Sequence, residues 1–113
     1  MDEFPFGKIG EVTETIIKLL SLDISPGTPI YIGQSNIDHM KNNHPDDFEK
    51  YKCYLSEIIN APTYVSKNPN SGSIELIKEF ISNGEHVLVA ARATASGRFY
   101  VRSMYVMNAQ KVE

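Results

Sequence analysis

Pro62 separates two hydrophobic rhythms, and that change of period limits the folds open to this chain. Upstream of it the apolar residues recur at helical spacing. Val12, Ile16, Leu19 and Leu20, with Ile17 beside them, predict a helix over residues 10–22, after a loose lead-in over residues 1–8. A short strand at residues 30–32 ends at Gly33. Ser35 is placed to cap a short helix that turns Ile37 and Met40 inward and stops at Asn42 and Asn43. Pro45 suits the first turn of the next helix, where Asp46, Asp47 and Glu49 face the positive helix end. Phe48, Tyr51, Leu55, Ile58 and Ile59 form its buried stripe, and Asn60-Ala-Pro ends it.

Downstream of Pro62 the pattern is that of strands and turns. Strands are expected at residues 63–65, 74–81, 87–92 and 99–106. Asn68-Pro-Asn-Ser-Gly, Asn83-Gly84 and Ala95-Ser-Gly supply the turns between them. Helices followed by a meander imply an α+β domain: N-terminal helices packed on a C-terminal antiparallel sheet of about four strands. At 113 residues this is one domain, residues 1–113.

Apolar residues make up 42% of the chain and charged residues 22%, as in ordinary soluble globular proteins. A net charge of −3 argues against indiscriminate coating of nucleic acid. The charge is unevenly spread, however. Residues 86–112 hold His86, Arg92, Arg98, Arg102 and Lys111 and no carboxylate, and every arginine of the chain lies there. That asymmetry is a first sign of an anion site. The longest apolar run, residues 87–91, is too short to span a bilayer, so no membrane association is expected. Cys53 stands alone, which precludes an intrachain disulfide and fits a reducing compartment such as the cytoplasm; it reads as a small packed or half-packed residue.

His39 and His44 lie five residues apart in Ser-Asn-Ile-Asp-His-Met-Lys-Asn-Asn-His-Pro. Imidazole is the side chain best suited to moving protons near neutral pH. The plainer alternative makes His39 a helix-surface residue and His44 a neighbour of Pro45. Their spacing does not match a zinc motif, and no metal is assigned. In a flat strand Arg98, Tyr100 and Arg102 share one face, while Phe99, Val101 and Ser103 share the other. A bulge or twist is needed to bring Arg102 and Ser103 together. Lys78 sits between Leu76 and Phe80 on its own face, an unusual place for a merely solubilising lysine. The plainer view of these cations is a solvated face that guards a sheet edge. Phosphate-binding glycine loops, a Gly-x-Ser-x-Gly elbow and an obvious carboxylate pair are all missing from the sequence.

The spaced pattern Ile30-Tyr-Ile, His39-Met, His44-Pro, Tyr51, Leu55, Ile58-Ile59-Asn60-Ala-Pro62-Thr-Tyr64-Val, Ile77-Lys78, Val87-Leu-Val-Ala and Tyr100-Val-Arg102-Ser103-Met-Tyr105 resembles the PBECR domains. These have the barnase–EndoU–colicin–RelE-like fold and occur in phage-linked and toxin-type proteins. The resemblance covers a nuclease-like core over residues 8–107. It implies a metal-independent ribonuclease that needs no cofactor. It also implies catalytic roles for His39, with His44 as companion, for Lys78, and for Ser103, where the family often has threonine. Arg102 would join Lys78 in stabilising the charge on phosphate, and Arg92, Arg98 and Tyr100 would bind substrate. The implied partners are RNA, with tRNA as one candidate, and a cognate acidic inhibitor covering Arg98 and Arg102. Two further readings stay open: a non-catalytic binding or assembly module of the same fold, and an enzyme for another phosphate-bearing substrate. The nuclease reading requires His39, Lys78 and at least one guanidinium to meet in one pocket.

Overall fold

A computed structural model of the chain describes residues 7–81, 84–93 and 98–107. The elements run β1 (Gly7–Val12), α1 (Glu14–Leu20), β2 (Thr28–Ile32), α2 (Gln34–Asn43), α3 (Pro45–Tyr51), a 3-10 turn (Lys52–Tyr54), α4 (Leu55–Asn60), β3 (Tyr64–Lys67), β4 (Ile74–Phe80), β5 (Glu85–Ala93) and β6 (Phe99–Val106). The fold is α+β, but its arrangement corrects the expectation. The helices are internal to the chain, flanked by strands on both sides, and among the described residues the sheet has six strands in the order β1-β2-β6-β5-β4-β3. Nor is it wholly antiparallel, because β2 runs parallel to β6 through Ile30↔Phe99 and Tyr31↔Tyr100.

The helix expected over residues 10–22 is instead a strand followed by a shorter helix. Thr13 caps α1, its Oγ1 accepting from the Ile16 N–H at 3.2 Å. The strand escaped notice for a physical reason. Gly10 carries no side chain, so β1 shows no apolar alternation, and a register shift between Lys8 and Gly10 disturbs the period further. Gly10 is required by a close approach: a Cβ there would lie 2.5 Å from Ile59 Cγ2 and 2.9 Å from Asn60 Oδ1. Gly33, not Ser35, occupies the N-cap of α2; its N–H donates to the Asn36 Oδ1 at 2.8 Å. The helix predicted from Pro45 onward is interrupted by the 3-10 turn, where Cys53 is exposed rather than packed. Asn83 and the Ala95-Ser-Gly turn lie outside the described residues.

Phe48, Tyr51, Leu55, Ile58 and Ile59 are all buried, as their spacing predicts, and so are Ile37 and Met40. They meet Ile30, Ile32, Ile74, Leu76, Val87, Val89, Ala91, Val101 and Met104 from one face of the sheet. The sheet curls around this core: α4 packs against β1, β4 and β5, and α1, which follows the edge strand β1, reaches the opposite edge at β3. Helices α2 and α3 lie along β6. There the Val106 N–H donates to Asp47 Oδ2 at 2.9 Å, so a helix side chain satisfies a backbone group of that strand.

Candidate functional site

The face of the sheet turned away from the core gathers the polar side chains. In the register of β4, β5 and β6, Glu75 pairs with Ala90 and Ala90 with Ser103. Adjacent strands lie about 4.8 Å apart, so Glu75 and Ser103 stand two strands and roughly 10 Å from one another. Ala90 between them is small, and the space above it is a hollow of about 250 Å³. Leu88 and Ala90 line it from β5, while Glu75, His39, Arg92, Arg102, Ser103 and Tyr105 surround it.

The strand parity that seemed to separate Arg102 from Ser103 is resolved by a bulge. Ala90 pairs with Ser103 but Ala91 with Val101, so Arg102 is the extra residue of β6. Both residues line the same hollow, while Val101 and Met104 on either side remain fully buried. His39 arrives from α2. Asn43, one turn later, brings its Nδ2 to 3.1 Å and 3.2 Å from the two ring nitrogens and also donates to the His39 carbonyl at 2.9 Å. His39 and Ser103 also line a neighbouring hollow of about 280 Å³ with Asn43 and His44. His44 bridges the two helices as C-cap of α2 and N-cap of α3, and its ring stacks on Tyr105 with centroids 5.0 Å apart. His44 therefore stands one hollow away from Arg92 and braces the Tyr105 wall.

Glu75 is the residue that sequence reasoning missed. Its Oε1 accepts from Ser66 Oγ at 2.6 Å and its Oε2 from Asn68 Nδ2 at 3.5 Å. Asn68 is itself fixed, its Oδ1 accepting from the backbone N–H groups of Asn70 and Ser71 at 2.9 Å and 3.2 Å. The carboxylate acts on its surroundings: burial, and then the Glu75 charge, push the Tyr105 phenol above its usual range. No carboxylate pair was visible in the sequence because Glu75 faces the hollow alone among carboxylates, across from an imidazole brought in by a distant helix. Its position on β4, alternating with buried Ile74 and Leu76, was the available signal.

Lys78 does not join this group, and its expected convergence with His39 is corrected. It lies on the core-facing side of β4, where its Nζ donates to the Ala61 carbonyl at 3.0 Å and sits 3.5 Å from Glu57 Oε2. A cation at the carbonyl end of α4 offsets the negative pole of that helix, so the lysine has a structural task. The cations that do converge with His39 are Arg92 and Arg102.

Tyr100 and Arg98 lie further along. Tyr100 lines a second hollow of about 570 Å³ that shares Arg92 and Arg102 with the first. Its ring leans on Tyr31, centroids 5.8 Å apart, and the Arg98 guanidinium lies 5.3 Å from the Tyr31 ring centre. Among the described residues no three His, Cys, Asp or Glu side chains gather as ligands of a metal ion would. No described helix is long and apolar enough to cross a membrane.

Neither a curated protein nor a solved structure matches the chain. A family model does, over residues 7–113, which takes in every element of the fold and the whole of the polar hollow. With that match the earlier resemblance becomes an assignment, and the chain belongs to PBECR3, the phage-Barnase-EndoU-ColicinE5/D-RelE like nuclease3 family.

Proposed function

We propose that this protein is a metal-independent endoribonuclease that cleaves RNA by attack of a 2′-hydroxyl on its own phosphate. The observation that carries the reading is the convergence of an imidazole, a carboxylate, two guanidiniums and a hydroxyl on one hollow. RNA brings its nucleophile with it, so the protein has to move two protons and hold one developing charge. Glu75, already an acceptor toward Ser66 and Asn68, takes the proton from the 2′-hydroxyl. His39 delivers a proton to the departing 5′-oxygen. Arg92 and Arg102 hold the non-bridging oxygens of the pentavalent phosphorus, and Ser103 donates a hydrogen bond to one of them. The products are a 2′,3′-cyclic phosphate and a free 5′-hydroxyl. His44 positions Tyr105 and serves as second imidazole at the rim. The convergence of Lys78 with His39 that the sequence led us to require fails, so the proposal rests on Arg92 and Arg102 as the cations for phosphate and gives Lys78 no part in the chemistry.

Incubation with single-stranded RNA in the presence of EDTA tests this. Cleavage leaving 2′,3′-cyclic ends is expected, and His39→Ala or Glu75→Gln lowers the rate by about 10²–10⁴-fold while leaving the fold intact. Equal rates in wild type and both variants would overturn the proposal. The net charge of −3 favours one other reading, a binding or assembly module of the same fold that has lost catalysis; it predicts RNA or protein binding without cutting. In a toxin setting the exposed Arg98 and Arg102 are the surface a cognate acidic inhibitor would cover. tRNA is one RNA that would meet the site's demand for an unpaired loop.

A further inference from the structure

We infer that the hollow in front of Tyr100 is a stacking subsite for one unpaired base of a single-stranded RNA. The inference rests on the proposed nuclease site, because it takes the scissile phosphate to lie beside Arg92 and Arg102. Those two arginines line both hollows and form the ridge between them. A phosphate held on that ridge puts its ester bonds over the smaller hollow, with Glu75 and His39. The adjoining nucleoside falls into the larger one. At about 570 Å³ that hollow is of the size that small organic ligands occupy, about 300–1,000 Å³. Its neighbour, at about 250 Å³, is less than half as large.

The larger hollow has an aromatic wall and a polar one. Tyr100 supplies the first. Its ring is braced from the side by Tyr31, its direct partner across the parallel β2–β6 pair, and Arg98 covers Tyr31 in turn. A half-buried ring supported in this way loses little freedom when a base lies against it. Ser35 and Asn36, at the start of α2, supply the second wall with side chains able to meet a base edge. In a duplex both faces of each base are covered by its neighbours. A ring set within a hollow of the sheet therefore reaches only a base that is already unstacked.

The test uses the full chain and 2′-O-methyl RNA, which lacks the nucleophile and cannot be cut. Binding of a single strand is compared with binding of the same sugar–phosphate chain without bases. Wild type is expected to prefer the base-bearing strand by about 5- to 150-fold, the range of one base–aromatic stack. Tyr100→Leu removes that preference, Tyr100→Phe and Tyr100→Trp retain it, and affinity for the baseless chain stays constant throughout. Ser35→Trp, at an exposed helix position, fills the hollow from the opposite wall and is expected to remove the preference without touching the β2–β6 pair. Equal affinity of wild type for both chains, absence of binding to either, or a preference that survives both Tyr100→Leu and Ser35→Trp would overturn the subsite. RNA cleavage, measured separately, tells the two proposals apart. His39-dependent cutting without base preference removes only the subsite. Base preference without cutting removes only the catalytic reading.

Discussion

Lys78 and Glu75 occupy the same strand three residues apart and do opposite things. The odd spacing sends them to opposite faces of β4, the lysine to the end of α4 and the carboxylate to the polar hollow. Lys78→Met is therefore expected to destabilise the fold by about 0.5–1 kcal/mol, the worth of one exposed hydrogen bond from a charged donor at a helix end. RNA cleavage by the folded variant should be unchanged. Chemical denaturation and single-turnover cleavage check the two halves separately. This division was only partly legible in the sequence. His39, Arg102 and Ser103 stand out by residue type, and they do meet. Glu75 looks like any surface glutamate until the register places it across Ala90 from Ser103, and register is a long-range property that no local pattern in one sequence reveals.

At the scale of elements, the buried stripes and most strands followed directly from apolar spacing, because burial of one face is what both periods express. The failures were places where that expression is suppressed. β1 hides behind a glycine needed for contact with α4, and the pairing of β2 with β6 joins segments some seventy residues apart. Helix α3 is held to the sheet in another way, by side chains: Lys50 Nζ donates to Glu85 Oε1 at 2.8 Å, and the Tyr51 hydroxyl donates to the same oxygen. The hydrogen bond from Lys50, then that from Tyr51, lowers the Glu85 carboxyl below its usual range. A carboxyl depressed in the folded state stabilises it above the unfolded pKa, and that contribution is lost as pH falls through the folded value. The melting temperature should thus decline on acidification below about pH 4.5, and Glu85→Gln should flatten part of that decline. The effect will be small, because the pair is exposed. Thermal melts of both proteins between neutral and acid pH check it. A decline of the same steepness in the variant would count against the tether.

For the molecule as a whole, the charge distribution matters more than its sum. The chain carries net −3, yet three arginines converge on the two connected hollows and their rim. On the proposed function, attraction to RNA is then local and short-ranged. The logarithm of affinity should fall with the logarithm of salt concentration at a slope of about −1.4, as two phosphates on a single strand would give, one held by Arg92 and Arg102 and one within reach of Arg98. A much steeper slope, measured by titration at several salt concentrations, would point to a broad electrostatic surface rather than a local cluster. The charge that does most here arrives by a modest device. Val101, Ser103, Met104, Tyr105 and Val106 would alternate without interruption if Arg102 were excised, and Ala90 and Ala91 would still find their present partners. The guanidinium is thus a single letter inserted into an otherwise regular word. Deleting it should leave a sound sheet with a silent site, so gain and loss of activity in this architecture can be separated by one codon.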